Sequence, residues 1–270
     1  MIVDVDGLAA HAATGGVELN SDSSNSADPV MILIHGAGMD STVWQQQTRF
    51  LAHRNLRAVA VDLPGHGRSE GEPLTTIVDM AHWVARFIEA ANLAPAHIAG
   101  HSMGTFIALE LNRHHSELVS SLTLMGTAVG MPVHPELIST SENELAKAAA
   151  LMASWSHAKP AHIGLNPTPG LWMLGGARAL VETSEPGALT ADFNACASYT
   201  DAIDAAKAAT CPVHVVIGLD DKMTPAKSAA KLVAEMDQNQ LTVTKLADTG
   251  HMMMIEDPRS TRQLLLDTVL

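Results

Sequence analysis

Basic residues are scarce in this chain: 16 lysines and arginines stand against 29 aspartates and glutamates, a formal net charge of −13. A nucleic-acid surface needs a basic stripe to displace counterions from phosphates, and an anionic membrane attracts the same sign of charge. Neither partner is expected. Cysteine is scarcer still. Two residues, Cys196 and Cys211, cannot build a disulfide framework and read as ordinary thiols in a reducing cytoplasm. Long apolar runs are missing: the longest, residues 148–153, is six residues, far short of the roughly 20 that a membrane-spanning helix needs. The start, Met1-Ile2-Val3-Asp4, is acidic where a signal peptide would be basic, and no apolar stretch follows, so a cytoplasmic protein is expected. No internal repeat and no Cys-x-x-Cys pair is present, and neither a metal nor a cofactor is expected.

What is present is apolar bulk. The apolar fraction of 47% and the ordinary glycine and proline counts, 19 and 13, exclude disorder as a description of the whole chain. At 270 residues the chain is one large domain or a domain carrying an insertion, able to bury about three quarters of its unfolded surface. Residues 1–13 read as a short hairpin about Asp6-Gly7. Residues 15–29 read as a polar surface loop, with Asn20-Ser21-Asp22-Ser23-Ser24-Asn25-Ser26 at its centre. Beyond it, apolar runs at 30–34 and 58–61 have the pattern of strands buried on both faces, and 97–99 and 118–125 read as further strands. Segments of helical period at 41–54, 75–91 and 105–114 separate them. The alternation stops near Pro132, gives way to an Ala-rich helical stretch broken by Pro160, Pro167, Pro169 and Pro186, and resumes after residue 209 with strands at 213–217 and 241–246 and helices at 225–236 and 258–269. The pattern predicts an α/β fold with a mostly parallel central sheet and helices on both faces. A helical lid is inserted after the sixth strand. The division is 1–131 for the first part of the core, 132–209 for the lid and 210–270 for the second part.

Gly100-His101-Ser102-Met103-Gly104 stands between an expected strand and an expected helix. A turn this tight leaves no room for side chains at the flanking positions, hence the glycines, and it exposes the serine hydroxyl at its apex above the next helix N-terminus. With this segment, His35-Gly36-Ala37-Gly38, Asp62-Leu63-Pro64-Gly65-His66-Gly67-Arg68-Ser69, Gly218-Leu219-Asp220-Asp221-Lys222-Met223-Thr224-Pro225 and Gly250-His251-Met252 the chain resembles the α/β-hydrolase superfamily, in its capped bacterial branch of enol-lactonases, carboxylesterases, carbon–carbon bond hydrolases and cofactor-free haloperoxidases. The resemblance spans residues 30–258. It is specific for the superfamily and not for a substrate.

A serine hydroxyl needs an adjacent base. Of 14 histidines, His251 follows a late strand by a short loop that can reach back over the sheet, and it matches the position of the family's histidine. His101, His35 and His66 read as structural. The carboxylate that holds the imidazolium is Asp220 or Asp221 by position, and the family spacing counted from Gly218 selects Asp221. Met103, directly after the nucleophile, is expected to give one oxyanion N–H, and the resemblance assigns the other to Ala37; each such donor is worth on the order of 3 kcal/mol in the transition state. Residues 62–69 are expected to be structural, with Arg68 pairing with Asp62. Gly36, Gly38, Trp172, Met173 and Met252 are the expected substrate contacts, and Arg178, the one lid arginine, is expected to face solvent.

The expectation is therefore a cofactor-independent serine hydrolase that cleaves a small-molecule carboxylic ester or lactone through an acyl-enzyme. The same triad could serve carbon–carbon bond hydrolysis, perhydrolysis or acyl transfer, and a non-catalytic ligand-binding protein on the same fold is the remaining alternative. Substrate and oligomeric state are not encoded legibly.

Overall fold

The computed structural model describes residues 1–19, 28–165, 167 and 170–269. The centre of the expected polar loop, residues 20–26, and the expected helix breaker Pro169 lie outside the described residues. The amino-terminal hairpin forms as expected: β1 (Ile2–Val5) pairs antiparallel with β2 (Leu8–Ala13) across Asp6-Gly7, both at positive φ, the conformation that a two-residue hairpin turn demands. The apolar runs become β3 (Val30–Ile34), β4 (Arg57–Val61), β5 (Ala96–His101), β6 (Val119–Met125), β7 (Val213–Gly218) and β8 (Leu241–Leu246). They assemble in the order β1-β2-β4-β3-β5-β6-β7-β8. From β4 to β8 every pairing is parallel, and only the hairpin edge is antiparallel.

The continuous apolar runs are explained by two separate cores. In β3, Ile32 and Ile34 pack with α2 (Ile77–Ala90) and α3 (Met103–His114), whereas Met31 and Leu33 pack on the opposite face with α1 (Gln45–Ala52) and α12 (Pro258–Asp267). Successive strand residues point to opposite faces, so a strand covered on both sides cannot alternate apolar with polar. Thr76 caps α2, its hydroxyl accepting the Asp79 N–H at 3.1 Å. The apolar stripe of that helix, Ile77, Met80, Ala81, Val84, Phe87 and Ile88, is buried. The expected helix at 41–54 is a 3-10 turn (Ser41–Trp44) running into α1.

Between β6 and β7 the chain forms α4 (Pro135–Asn143), α5 (Leu145–Ser156), α6 (Lys159–His162), α7 (Met173–Glu182), α8 (Ala188–Ser198) and α9 (Ala202–Lys207). No strand of the described residues interrupts them. α10 (Ala226–Val233) joins β7 to β8, and a short α11 (Met253–Glu256), not anticipated from the sequence, precedes α12. Ring contact between Phe106 of α3 and Tyr199, 4.7 Å between centroids, and a 2.6 Å hydrogen bond from the Tyr199 hydroxyl to buried Glu110 tie the end of the inserted helices to the core. Among the described residues no helix is long and apolar enough to cross a membrane.

Phe87 is fully buried in the α2 face of the core and stacks on Trp83. Phe87→Ala is expected to lower unfolding stability by about 3–5 kcal/mol, the usual result of emptying a buried aromatic site. The urea midpoint measures it.

Candidate active site

The parallel strands end on one rim, and the loops that leave β3, β5, β7 and β8 meet there. The turn from β5 to α3 sets the position of Ser102. The two glycines are required by contact: a Cβ on Gly100 would lie 2.1 Å from the Gly104 carbonyl oxygen, and one on Gly104 would lie 2.5 Å from the Ile34 carbonyl oxygen of β3. Ser102 itself is held at φ 53°, ψ −120°, a left-handed conformation that costs a residue with a Cβ on the order of 1–3 kcal/mol. Its N–H donates to the Met125 carbonyl of β6 at 2.9 Å. The strain is thus held by two strands of the sheet. The side chain is half-buried and opens into a cavity of about 560 Å³ that His251 also lines. Among the described residues the Ser102 hydroxyl forms no hydrogen bond; Ser102 and His251 share the cavity rather than a bond.

His251 lies on the loop after β8, Asp221 on the loop after β7. The His251 Nδ1–H donates to Asp221 Oδ2 at 2.8 Å, and both side chains are buried. Asp221 is fully coordinated: Oδ1 accepts the N–H groups of Met223 and Thr224, each at 2.8 Å, and Oδ2 also accepts the Thr224 hydroxyl at 2.7 Å. Burial alone would raise its pKa; the facing His251 ring and these hydrogen bonds outweigh it and hold the carboxyl below the ordinary aspartate range. Asp220, the competing neighbour, is exposed.

Three further groups fix the His251 backbone. Buried Glu256 accepts from Gly250 N–H (3.2 Å), Met252 N–H (3.1 Å) and Ala158 N–H (2.8 Å), so one carboxylate braces both sides of the histidine and the segment after α5. Burial outweighs those donors and raises its pKa. The His251 N–H donates to the Ser156 carbonyl at 2.7 Å. His101 is fully buried, and its Nε2–H donates to the His251 carbonyl at 2.9 Å. Burial, reinforced by the His251 ring, lowers its pKa to about 3, so it is a neutral support.

Ala37 lines the cavity with Ser102, and its N–H has no hydrogen-bond partner among the described residues. Met103 opens α3, where the first N–H groups lack intrahelical partners. Gly36 packs against Ser102, since a Cβ there would lie 3.1 Å from the serine Cβ. The other expected substrate contacts lie elsewhere. Trp172, Met173 and Met252 line a separate cavity of about 140 Å³, and Trp172 is 76% exposed. Gly38 faces Leu189 and Asp192 of α8. The walls of the large cavity are instead Met131, Val133, Leu137, Met152, Trp155 and Phe193. Arg68 meets Asp62 through its backbone N–H at 3.0 Å, and the side chain facing Asp62 is His11, 2.7 Å away. Arg178 pairs with Glu182 on the surface.

Thr224, Glu256 and Asp192 went unnoticed in the sequence. Thr224 had a signal, an oxygen-bearing residue three positions after Asp221 and just before Pro225. Asp192 had none, because its partner His66 is 126 residues away. Among the described residues no group of three or more histidine, cysteine or acidic side chains is placed to hold a metal ion.

Comparison with known proteins bears on the family and the fold. The model of the alpha/beta hydrolase family matches residues 31–264. The chain is 23% identical over 247 residues to the (E)-2-((N-methylformamido)methylene)succinate hydrolase of Acinetobacter baylyi, covering 87% of this chain and 88% of that one. It superposes on the enol-lactonase of Burkholderia xenovorans with a TM-score of 0.85 at 19% identity, over 99% of this chain and 98% of that one. An esterase of Exiguobacterium antarcticum gives 0.84 at 17% identity, with the same coverage of 99% and 98%. Likeness at these identities speaks to the fold, whereas the family match extends across β3 to α12. On that match, and with the sheet order and the serine turn already described, the chain belongs to the alpha/beta hydrolase family.

Proposed function

We propose that the protein is a cofactor-independent serine hydrolase that cleaves a carboxylic ester or lactone through an acyl-enzyme intermediate. The observation that carries this reading is the shared cavity of Ser102 and His251, with the His251 Nδ1–H committed to a buried carboxylate. Because Nδ1 donates to Asp221, the lone pair of Nε2 is left as the base. His251 takes the Ser102 proton as the hydroxyl oxygen attacks the substrate carbonyl. The resulting oxyanion is stabilised by the N–H groups of Ala37 and Met103. Collapse expels the alcohol, to which His251 returns the proton. Water, deprotonated by the same ring, then clears the acyl group from Ser102. Asp221 holds the imidazolium and its tautomer.

The substrate follows from the walls. The lining side chains are mainly apolar, and the lysine that reaches the cavity, Lys222, is exposed. A carboxylate buried with the substrate would meet no buried cation there. An uncharged apolar acyl group or lactone ring is the ligand that the cavity suits, and the helices of residues 132–209 act as its lid. Activity against a chain-length series of nitrophenyl esters and a few lactones, assayed also with hydrogen peroxide and halide, separates ester or lactone hydrolysis from perhydrolysis.

Ser102→Ala is expected to reduce kcat on the best ester by at least about four orders of magnitude, as loss of a triad nucleophile does; retention of full activity would refute the reading. Asp221→Asn is expected to lose about 10⁴-fold in kcat at neutral pH, because the amide favours the wrong His251 tautomer. The same variant has a stability signature. A carboxyl whose folded pKa lies below its ordinary value of 3.8 contributes stability above that pH and loses it as the pH falls through the folded value. The deficit of Asp221→Asn in urea midpoint is therefore expected to be largest near pH 7 and to shrink below pH 3.8.

A further inference from the structure

Asp192 of α8 is fully buried, yet it is not among the residues lining the Ser102 cavity. Its Oδ2 accepts the N–H of Gly38 at 2.7 Å and lies 2.9 Å from Nε2 of His66, which is also buried. The other ring nitrogen of His66 faces the Pro64 carbonyl at 3.0 Å. A carbonyl can only accept, so Nδ1 carries a hydrogen, and a proton on Nε2 makes the ring an imidazolium facing the carboxyl group. Burial opposes this charge, but Asp192 overcomes it and raises the His66 pKa. His35 alongside, 5.0 Å between ring centroids, is wired in the opposite sense. Its Nδ1–H donates to the Gly36 carbonyl, its Nε2 accepts the Leu63 N–H, and burial lowers its pKa. The remaining titratable groups acting on this cluster are Asp62 and the buried thiol of Cys196.

The contact falls on one peptide. Gly38 is at φ +65°, and a Cβ there would lie 2.6 Å from Leu189 Cδ1, on the same face of α8 as Asp192. An inserted helix therefore grips the loop of residues 35–38 by a carboxylate and a leucine, one residue beyond Ala37. We propose that Asp192 is a positioning residue: the inserted helix delivers its carboxylate to the Gly38 N–H, and this fixes the orientation of the neighbouring Ala37 N–H toward the oxyanion. The inference rests on the serine-hydrolase reading above. It makes competence of the oxyanion site conditional on the seating of α8.

Two double variants isolate the effect. Asp192→Leu with His66→Leu removes the ion pair and the acceptor for Gly38, and apolar replacement of a buried pair often leaves stability intact. Asp192→Asn with His66→Leu removes the same pair but keeps an oxygen for Gly38. The first is expected to lose about 100-fold in kcat, the scale of a misdirected oxyanion donor, with KM changed by less than about threefold and with a parallel loss of affinity for an alkyl boronic acid, which mimics the tetrahedral intermediate. The second is expected to stay within about tenfold of wild type in both. Asp192→Ala supplies a further variant without the acceptor, so whichever of the two folds, by circular dichroism and melting, decides. A folded variant without the acceptor that keeps wild-type kcat and boronate affinity overturns the proposal, as do two double variants with equal losses. Wild type inactive on every ester and lactone would instead refute the serine-hydrolase reading, and this inference with it.

Discussion

The close approach of α3 to the sheet at the end of β5 is the constraint on which the rest of the site depends. The Gly104 peptide lies where a Cβ on Gly100 would sit, and Gly104 in turn lies against the β3 carbonyls. Neither contact survives a side chain. Because the helix cannot move away, Ser102 must turn the chain in a single residue, at positive φ. The energy of that conformation, on the order of 1–3 kcal/mol, is offset by a sheet whose central strands are buried on both faces. The rim is thereby held rigid at Ser102, the nucleophile of the proposed reaction.

Three buried carboxylates then organise those loops, each accepting backbone N–H groups and each tying together segments apart in sequence. Asp221 gathers Met223, Thr224 and His251; Glu256 gathers Gly250, Met252 and Ala158; Asp192 gathers Gly38 and the His66 ring. A carboxyl group has two oxygens that can accept several donors at once, so one side chain can set the geometry of two or three peptides. Two of the three reach from the core to the inserted segment. The core and the inserted segment, which both line the Ser102 cavity, are therefore coupled by polar contacts as well as by apolar packing.

The strands and the serine turn were legible because their signals are local. A short strand running into a glycine-flanked serine states the tightness of the turn that follows, as the continuous apolar run at 30–34 states the burial of its strand. Asp221 could be separated from Asp220 only by family spacing, since burial of one of two adjacent aspartates leaves no mark on the sequence; the structure buries Asp221 against His251 and exposes Asp220. Trp172, Met173 and Met252 looked like acyl-pocket residues by size and apolarity. Yet which way a side chain turns depends on how its segment docks, for Trp172 and Met173 of the inserted segment as for Met252 after β8, and these residues face a different cavity. Glu256 and Asp192 were invisible for the complementary reason: a carboxylate that serves distant backbone groups has no side-chain partner nearby in sequence. The fold was readable from periodicity and the candidate triad from the serine turn together with the family spacing, whereas the carboxylates that support it are set by tertiary packing.

The most direct test of the central claim is covalent. Intact-mass analysis and peptide mapping after treatment with an alkyl fluorophosphonate are expected to show one phosphonyl group per chain, carried by Ser102. An adduct on another residue, or no adduct at a concentration that labels a reference serine esterase fully, would contradict the account.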